Sequence, residues 1–185
     1  DARPKEASYS PPMKKLVDEH TLIKRWAAMI PQVIDSLDVE SGEGRHRIND
    51  GIEFIRSYAD RYHHDKEEEI LFKCFDENLD IIKTMCEDHE TARAHVRAML
   101  TALDERDKEA VSEHLEAYQE LLSEHIKKED EILYLWMDRN FPITKVGELF
   151  AKFNEKDKEF GDIPKKCEEF INKLEKKFKL MEVLK

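Results

Sequence analysis

Apolar residues recur every three or four positions along most of the chain, which is the spacing of amphipathic α-helices. Short breaks interrupt this pattern, and the clearest is the glycine-containing turn predicted over residues 41–44. The periodicity predicts long helices from 13 to 37, from that turn to 75, from 79 to 103 and from 108 to 138, with one or two more between 143 and 185. Long helices joined by short loops are typical of bundles. We therefore expect an all-α protein, an up-down-up-down four-helix bundle with an additional C-terminal helical segment.

The same pattern divides the chain into three parts. Residues 1–12 contain prolines and are expected to form a flexible N-terminal arm. Residues 13–140 hold the four long helices of the bundle, and residues 141–185 are expected to form a C-terminal helical extension that packs on it. The extension contains no histidine, so we expect it to cover the bundle rather than to supply chemistry.

Composition and charge narrow the functional classes. The formal net charge of −11 opposes binding to a phosphate backbone, and no apolar run has the roughly 20 residues that a membrane helix needs. Cys74, Cys86 and Cys167 are far apart, so neither a disulfide framework nor a thiolate metal site is predicted. We therefore expect a cytoplasmic protein that binds neither nucleic acid nor membrane.

An internal repeat contains the candidate chemistry. The segment HHDKEEEILF, residues 63–72, matches HIKKEDEILY, residues 125–134, at six of ten positions without a gap. Each copy has a histidine four residues before a glutamate. Each is also preceded by a helix in which one histidine, His20 or His89, follows an acidic residue. The chain is thus predicted to form two helical hairpins, each with one lone histidine and one His/Glu pair.

Helical geometry directs these residues inward. Side chains four residues apart lie one above the other on a helix, so His63 and Glu67 share a direction, as do His125 and Glu129. Each polar position coincides with an apolar stripe on its helix. The stripes are Leu16, Val17, Ile23 and Ala27 beside His20; Ile52, Ile55, Ala59, Ile70 and Cys74 beside His63; Ile82, Met85, Cys86, Val96 and Leu100 beside His89; and Leu115, Tyr118, Leu122, Ile132 and Leu133 beside His125. We therefore expect these polar side chains in the bundle core.

Some candidate metal ligands are adjacent in the sequence, so only one of each two can face the bundle core on an α-helix. The repeat and the apolar stripe both favour His63 with Glu67, which leaves His64 as a neighbouring or surface group. In the fourth long helix, Asp130 is a less inward competitor of Glu129. The remaining histidines are interpreted as structural or surface residues: His46, His95 and His114.

Buried ionised carboxylates are costly unless they are neutralised, and the stripes contain too few basic residues to pair both Glu67 and Glu129. Four imidazoles and two carboxylates suit two borderline metals such as iron, and also zinc or manganese. The predicted metal ligands are His20, His63, Glu67, His89, His125 and Glu129. Hydrogen-bonded core histidines would explain any one position but not the repeated pairing. A ferritin-type site needs Glu-x-x-His on its metal helices, and the one such motif, Glu43 to His46, begins in the predicted turn.

The segments around His20, HHDKEEEILF, DHETAR and HIKKEDEILY resemble the hemerythrin-like, or HHE cation-binding, family over residues 16–138. The resemblance implies a helical bundle with a di-iron centre bridged by carboxylates and by an oxo or hydroxo group. It assigns the six predicted ligands to the family's ligand positions, with both glutamates as bridges. Arg93 departs from the oxygen-carrying members, which have a histidine there. The pattern is similar instead to four-His, two-Glu domains linked to iron sensing and to repair of nitrosative damage.

The resemblance favours a non-catalytic di-iron protein that binds or senses dioxygen, nitric oxide or iron. The expected partner is therefore a small diatomic or anionic ligand. The alternative is a di-iron enzyme of oxidative or nitrosative stress defence, peroxidase-like or acting in nitric oxide reduction and repair, with Tyr62, Tyr118, His64 and Arg93 as candidate neighbouring groups. A structural bundle with incidental metal is the third hypothesis.

Overall fold

The computed structural model describes residues 8–185, and within that range it contains six helices and no strand. They are α1, Pro11–Asp35; α2, residues 42–74; α3, Asp80–Asp104; α4, residues 108–140; α5, Ile143–Phe160; and α6, Ile163–Val183. The predicted all-α class is confirmed. Residues 1–7 of the predicted arm lie outside the described residues, and α1 begins inside that arm, at Pro11. Between residues 8 and 185, every helix is too short or too polar to cross a membrane.

The segment from Ser41 to Gly44 is the start of a helix rather than the turn that its glycines predicted. α2 begins at Gly42, and the Ser41 hydroxyl caps it by accepting a hydrogen bond from the Gly44 amide at 3.0 Å. A Cβ on Gly44 would lie 2.2 Å from the carbonyl oxygen of Asp38. Glycine at this position therefore permits the preceding loop to pass close to the helix.

Parts of α2 and α4 are π-helical, with hydrogen bonds between residues five apart instead of four. These segments are Ile55–His64 and Glu67–Leu71 in α2, and Glu129–Leu133 in α4. The wider turns change the phase of the inward face, so the adjacent residues His63 and His64 are both buried. For the same reason Ile132, predicted to face inward, is 61% exposed, and Cys74 is exposed as well. π-helical turns are frequent at functional sites, and each of these segments contains a predicted ligand.

Two apolar clusters fill the interior. The large cluster includes Ile23, Ile30, Ile52, Met99 and Leu115, and the small cluster includes Met13, Leu16, Leu71, Met85 and Tyr134. Along α1 and α3 the small cluster comes first, then the buried histidine, then the large cluster. Along α2 and α4 the order is reversed. The buried polar residues therefore form a layer between two apolar regions that exclude water.

Both C-terminal helices pack against α1 and α2. Leu149 and Phe153 of α5 belong to the small cluster, whereas Ile171 and Phe178 of α6 belong to the large one. Burying each of these side chains stabilises the fold by roughly 1.5–3 kcal/mol. Residues 143–183 therefore complete both apolar clusters.

Candidate metal centre

The six predicted ligands converge in the polar layer, and all four long helices contribute to it. They are His20 on α1, His63 and Glu67 on α2, His89 on α3, and His125 and Glu129 on α4. Each of these side chains is 1% exposed or less. The structure thus brings together every residue that the repeat indicated, and their binding of metal stays a prediction.

Within each repeat copy, the histidine faces the glutamate. Nε2 of His63 lies 3.2 Å from Oε1 of Glu67, and Nε2 of His125 lies 2.9 Å from Oε1 of Glu129. The partners are four residues apart, so their proximity follows from the helix itself. Each pair presents one nitrogen and one carboxylate to the same small volume.

The lone histidines complete the cluster from the neighbouring helices. His20 Nε2 lies 3.4 Å from Glu129 Oε1, and His89 Nε2 lies 3.7 Å from Glu67 Oε1. The Nε2 atoms of His89 and His125 are 3.1 Å apart. All four histidines therefore direct Nε2 towards a common interior.

Each of these histidines is held from behind by a carboxylate on another helix. The Nδ1–carboxylate pairs are His20–Asp130 at 2.7 Å, His63–Glu19 at 2.9 Å, His89–Glu68 at 3.2 Å and His125–Asp88 at 3.0 Å. When Nδ1–H donates to a carboxylate, Nε2 keeps a free lone pair, which is the tautomer that a metal ligand needs. Asp130 therefore orients His20, and it does not take the inward position for which the sequence left it as an alternative to Glu129.

The donor atoms form two overlapping groups, each suited to one cation. The first is His20, His63, Glu67 and Glu129, and the second is His64, Glu67, His89 and His125. Within each group the ligand atoms all lie within 4.8 Å of one another. Glu67 belongs to both groups, so its carboxylate would be available to a cation in either one.

His64 belongs to the second group, which the sequence pattern did not predict. It is 3% exposed, so the surface position considered for it is wrong. Its ring stacks on that of His89, with the ring centroids 3.9 Å apart. Burial and the facing His89 ring lower the pKa of His64 well below its usual value. The side chain is therefore neutral and directed at the donor groups.

The interior of the centre contains polar atoms that need a partner. Within residues 8–185, no hydrogen bond reaches His63 Nε2, Glu67 Oε1 or either carboxylate oxygen of Glu129. Leaving a buried polar atom unpaired costs about 1–3 kcal/mol, and more for a charged group. Imidazole nitrogen and carboxylate oxygen are ligands of iron, zinc and manganese. The residues present therefore fit a metal centre.

Without a cation, the two central glutamates are in electrostatic conflict. Burial and the facing Glu129 carboxylate raise the pKa of Glu67. Burial alone would lower the pKa of His63, but the hydrogen bond with Glu19 and the facing Glu67 carboxylate outweigh it and raise that pKa to about 10. The pKa of His125 is likewise raised to about 10, against burial, by the Glu129 charge. Two imidazolium groups thus neutralise carboxylates in the metal-free chain, a role that bound cations would replace.

A fully buried lysine lies behind His63. Lys66 Nζ donates to Glu19 Oε2 at 2.7 Å and to Asp157 on α5, and it lies 3.7 Å from the ring centroid of Tyr62. Glu19 uses its other oxygen for His63. Residues 141–185, expected only to cover the bundle, therefore also contribute a charge to the network behind the site.

Tyr134 is a further site residue that the sequence pattern did not single out. Its buried hydroxyl donates to Glu67 Oε2 at 3.1 Å, and its ring stacks on His20 with the centroids 5.5 Å apart. The corresponding residue of the first repeat copy is Phe72, whose ring is stacked against His89 at 6.3 Å. At this position the two halves of the centre therefore differ by one hydroxyl.

Arg93 acts on the site through acidic neighbours. Its guanidinium lies 2.7 Å from Glu68, 2.8 Å from Asp60 and 2.5 Å from Glu90. Glu68 in turn accepts from Nδ1 of His89. Arg93 therefore fixes the carboxylate that orients His89.

The three histidines interpreted as structural or surface residues belong to neither donor group. The side chain of His46 is 76% exposed. His95 and His114 face each other across α3 and α4, with their Nδ1 atoms 3.0 Å apart. Their positions agree with that interpretation.

Comparison with protein families matches residues 12–137 to the hemerythrin HHE cation binding domain. The match covers more than half of the chain and includes both donor groups. Searches of curated proteins and of solved structures gave no significant match. The chain therefore belongs to the hemerythrin HHE cation-binding family.

Proposed function

We propose that the chain is a non-haem di-iron protein that binds or senses a small ligand, dioxygen or nitric oxide, or iron itself. The observation that supports this most strongly is the pair of donor groups that share Glu67 and contain buried atoms without hydrogen-bond partners. One carboxylate common to two groups suits two ions rather than one. Iron is preferred to zinc or manganese because of the resemblance on which the ligand assignment rests.

The proposed ligands divide between the two ions. One ion would be held by His20, His63 and Glu129 and the other by His89 and His125, with Glu67 common to both. Bound iron would supply a redox-active Lewis acid with open positions for a small ligand. The chain's own residues set the conditions: the apolar clusters exclude water, and the outer carboxylates keep each Nε2 directed inward.

An enzyme of oxidative or nitrosative stress defence is the second candidate, and Tyr134 favours it. Its hydroxyl lies 3.1 Å from Glu67 Oε2 and 3.5 Å from His20 Nε2, so it holds a proton beside both donor groups. Reduction of a bound ligand needs a proton donor, whereas simple binding does not. Tyr134 therefore separates the two functions experimentally.

The finer architecture is also a proposal. The apolar clusters follow one another in opposite order on successive long helices, which supports an up-down-up-down arrangement of α1 to α4. We assign residues 13–140 to this bundle and residues 141–185 to an extension whose apolar side chains complete its core.

Mixing the iron(II)-loaded protein with nitric oxide and, separately, with dioxygen tests the proposal. Binding or sensing predicts an absorbance change that saturates and reverses when the gas is removed. The enzyme predicts continued consumption of the gas when a reductant is present, and slower consumption in Tyr134→Phe. Tyr58→Phe, which removes the hydroxyl of another buried tyrosine, in the large cluster, is the matched control. Absence of any spectral change with either gas would contradict both gas binding and the enzyme, and would leave iron itself as the sensed species.

A further inference from the structure

A cavity opens between α2 and α3 beside the centre. It encloses about 250 Å³. Its walls are apolar side chains from both helices: Ile55, Ala59, Ala92, Val96 and Leu100. Ala59 and Ala92 are small and lie on opposite helices, so they leave a slot between the helices that a flat ring would fill.

The charge at this cavity is opposite to that of the whole chain. The chain carries 42 acidic against 31 basic residues, yet four arginines and a single acid line the cavity. That acid, Asp60, is paired with Arg93 at 2.8 Å. Arg61 and Arg97 are exposed, and among residues 8–185 neither has an acidic partner within ion-pair distance. Two positive charges are therefore available at its mouth.

The inner end of the cavity is polar. The Tyr118 side chain lines it, is 1% exposed, and has a hydroxyl that no hydrogen bond reaches within the described part of the chain. A buried hydroxyl is rarely left without a partner in a folded protein. His64 also lines the cavity and stacks on His89 at 3.9 Å. An occupant would thus meet a hydrogen-bonding group at one end and positive charge at the other.

We propose that this cavity binds a small aromatic monocarboxylate, with its ring between α2 and α3, its carboxylate at Arg61 and Arg97, and a polar substituent near Tyr118. A guanidinium fork matches a carboxylate in two parallel hydrogen bonds and stacks on flat rings. An inorganic anion would leave the apolar walls uncovered, and a neutral ring would leave the arginines unused. The proposal goes beyond the proposed function and does not depend on it, because protein side chains alone form the cavity.

Isothermal titration of the protein, metal-free and iron-loaded, with 4-hydroxybenzoate tests this proposal. We expect saturable binding with a Kd below about 1 mM, weaker binding of benzoate, and no measurable binding of benzyl alcohol. The advantage of 4-hydroxybenzoate over benzoate should disappear in Tyr118→Phe. An Arg61→Gln, Arg97→Gln double variant should weaken binding at least tenfold, and Arg139→Gln, an exposed arginine outside the cavity, should not.

Ala92→Leu should block binding by filling the slot, with its thermal midpoint checked against wild type. The arginines are exposed, so their double variant keeps the test valid if the core variant does not fold. Failure of wild type to bind 4-hydroxybenzoate at millimolar concentration would overturn the proposal. Unchanged affinity in the arginine double variant would also overturn it. If azide displaced 4-hydroxybenzoate from both the wild type and the double variant, the carboxylate would be bound to the iron. That result would also overturn the proposal.

Discussion

Replacing Lys66 with methionine removes the one positive charge between two carboxylates and keeps a side chain of similar length. Lys66 is fully buried, and its Nζ bonds to Glu19 at 2.7 Å and to Asp157. The side chain of Glu19 is 8% exposed, so water cannot replace the lost partner there. The substitution therefore removes the cation from Oε2 of Glu19, while Oε1 of Glu19 keeps its contact with Nδ1 of His63.

The expected loss of stability follows from the burial of the ion pair between Lys66 and Glu19. Removing one partner of a buried ion pair destabilises a protein by about 3–5 kcal/mol. Asp157 is 24% exposed and keeps its bond to Lys15 at 2.5 Å, so we expect the lower end, about 3 kcal/mol. For a chain of this size the midpoint of thermal unfolding should fall by roughly 6–12 °C. Iron affinity should also fall by roughly 10–100-fold, because Glu19 orients His63.

Urea denaturation of metal-free and iron-loaded protein measures both effects. Lys14→Met is the matched control, because the Lys14–Asp18 pair has side chains that are 65% and 63% exposed and should contribute nothing measurable. Adding Glu19→Gln and Asp157→Asn to the Lys66 variant should restore part of the stability, since no buried charge then lacks a partner. A loss no larger than that of Lys14→Met would refute the reasoning.

Two other predictions concern histidines. His63→Ala should lose more iron than His64→Ala, because His63 pairs with both Glu19 and Glu67 whereas His64 stacks on His89. Equal losses in elemental analysis would show that His64 is a primary ligand. Burial and His114 lower the pKa of His95, so the folded chain binds its proton less readily than the unfolded chain. His95 therefore costs stability as the pH falls below its usual value of 6.5, and His95→Gln should be more stable than wild type at acid pH and equal to it at alkaline pH. Equal urea midpoints at both would contradict this.

The parts of the site that the sequence predicts are those set by local periodicity. A histidine and a glutamate four residues apart on a helix point in the same direction whatever surrounds them. This relation correctly predicts that Glu67 lies beside His63 and that Glu129 lies beside His125. The apolar stripes then directed both pairs inward. No knowledge of helix packing was needed for these positions.

The orienting carboxylates depend on contacts between helices, which a single sequence does not show. Each lies next in sequence to one predicted ligand but binds another: Glu19 beside His20, Glu68 beside Glu67, Asp88 beside His89 and Asp130 beside Glu129. The acid–histidine pairs at 19–20 and 88–89 were visible in the repeat, and this was the signal available. Asp157 gave no such signal, because its partner Lys66 is 91 residues away.

The errors at His64 and Ile132 have a single cause. Helical-wheel reasoning assumes a constant rotation of 100° per residue, and the π-helical turns of α2 and α4 break that assumption. A helical wheel therefore predicts too little burial for His64 and too much for Ile132. Nothing in the local sequence distinguishes these turns from ordinary α-helix.

We propose that one chain holds two iron ions in the polar layer between its apolar clusters. The most direct test is anaerobic reconstitution with ferrous iron, removal of unbound metal, and elemental analysis against protein concentration. The two donor groups that share Glu67 predict two iron ions per chain. A single zinc ion with no iron, or no retained metal, would contradict the account.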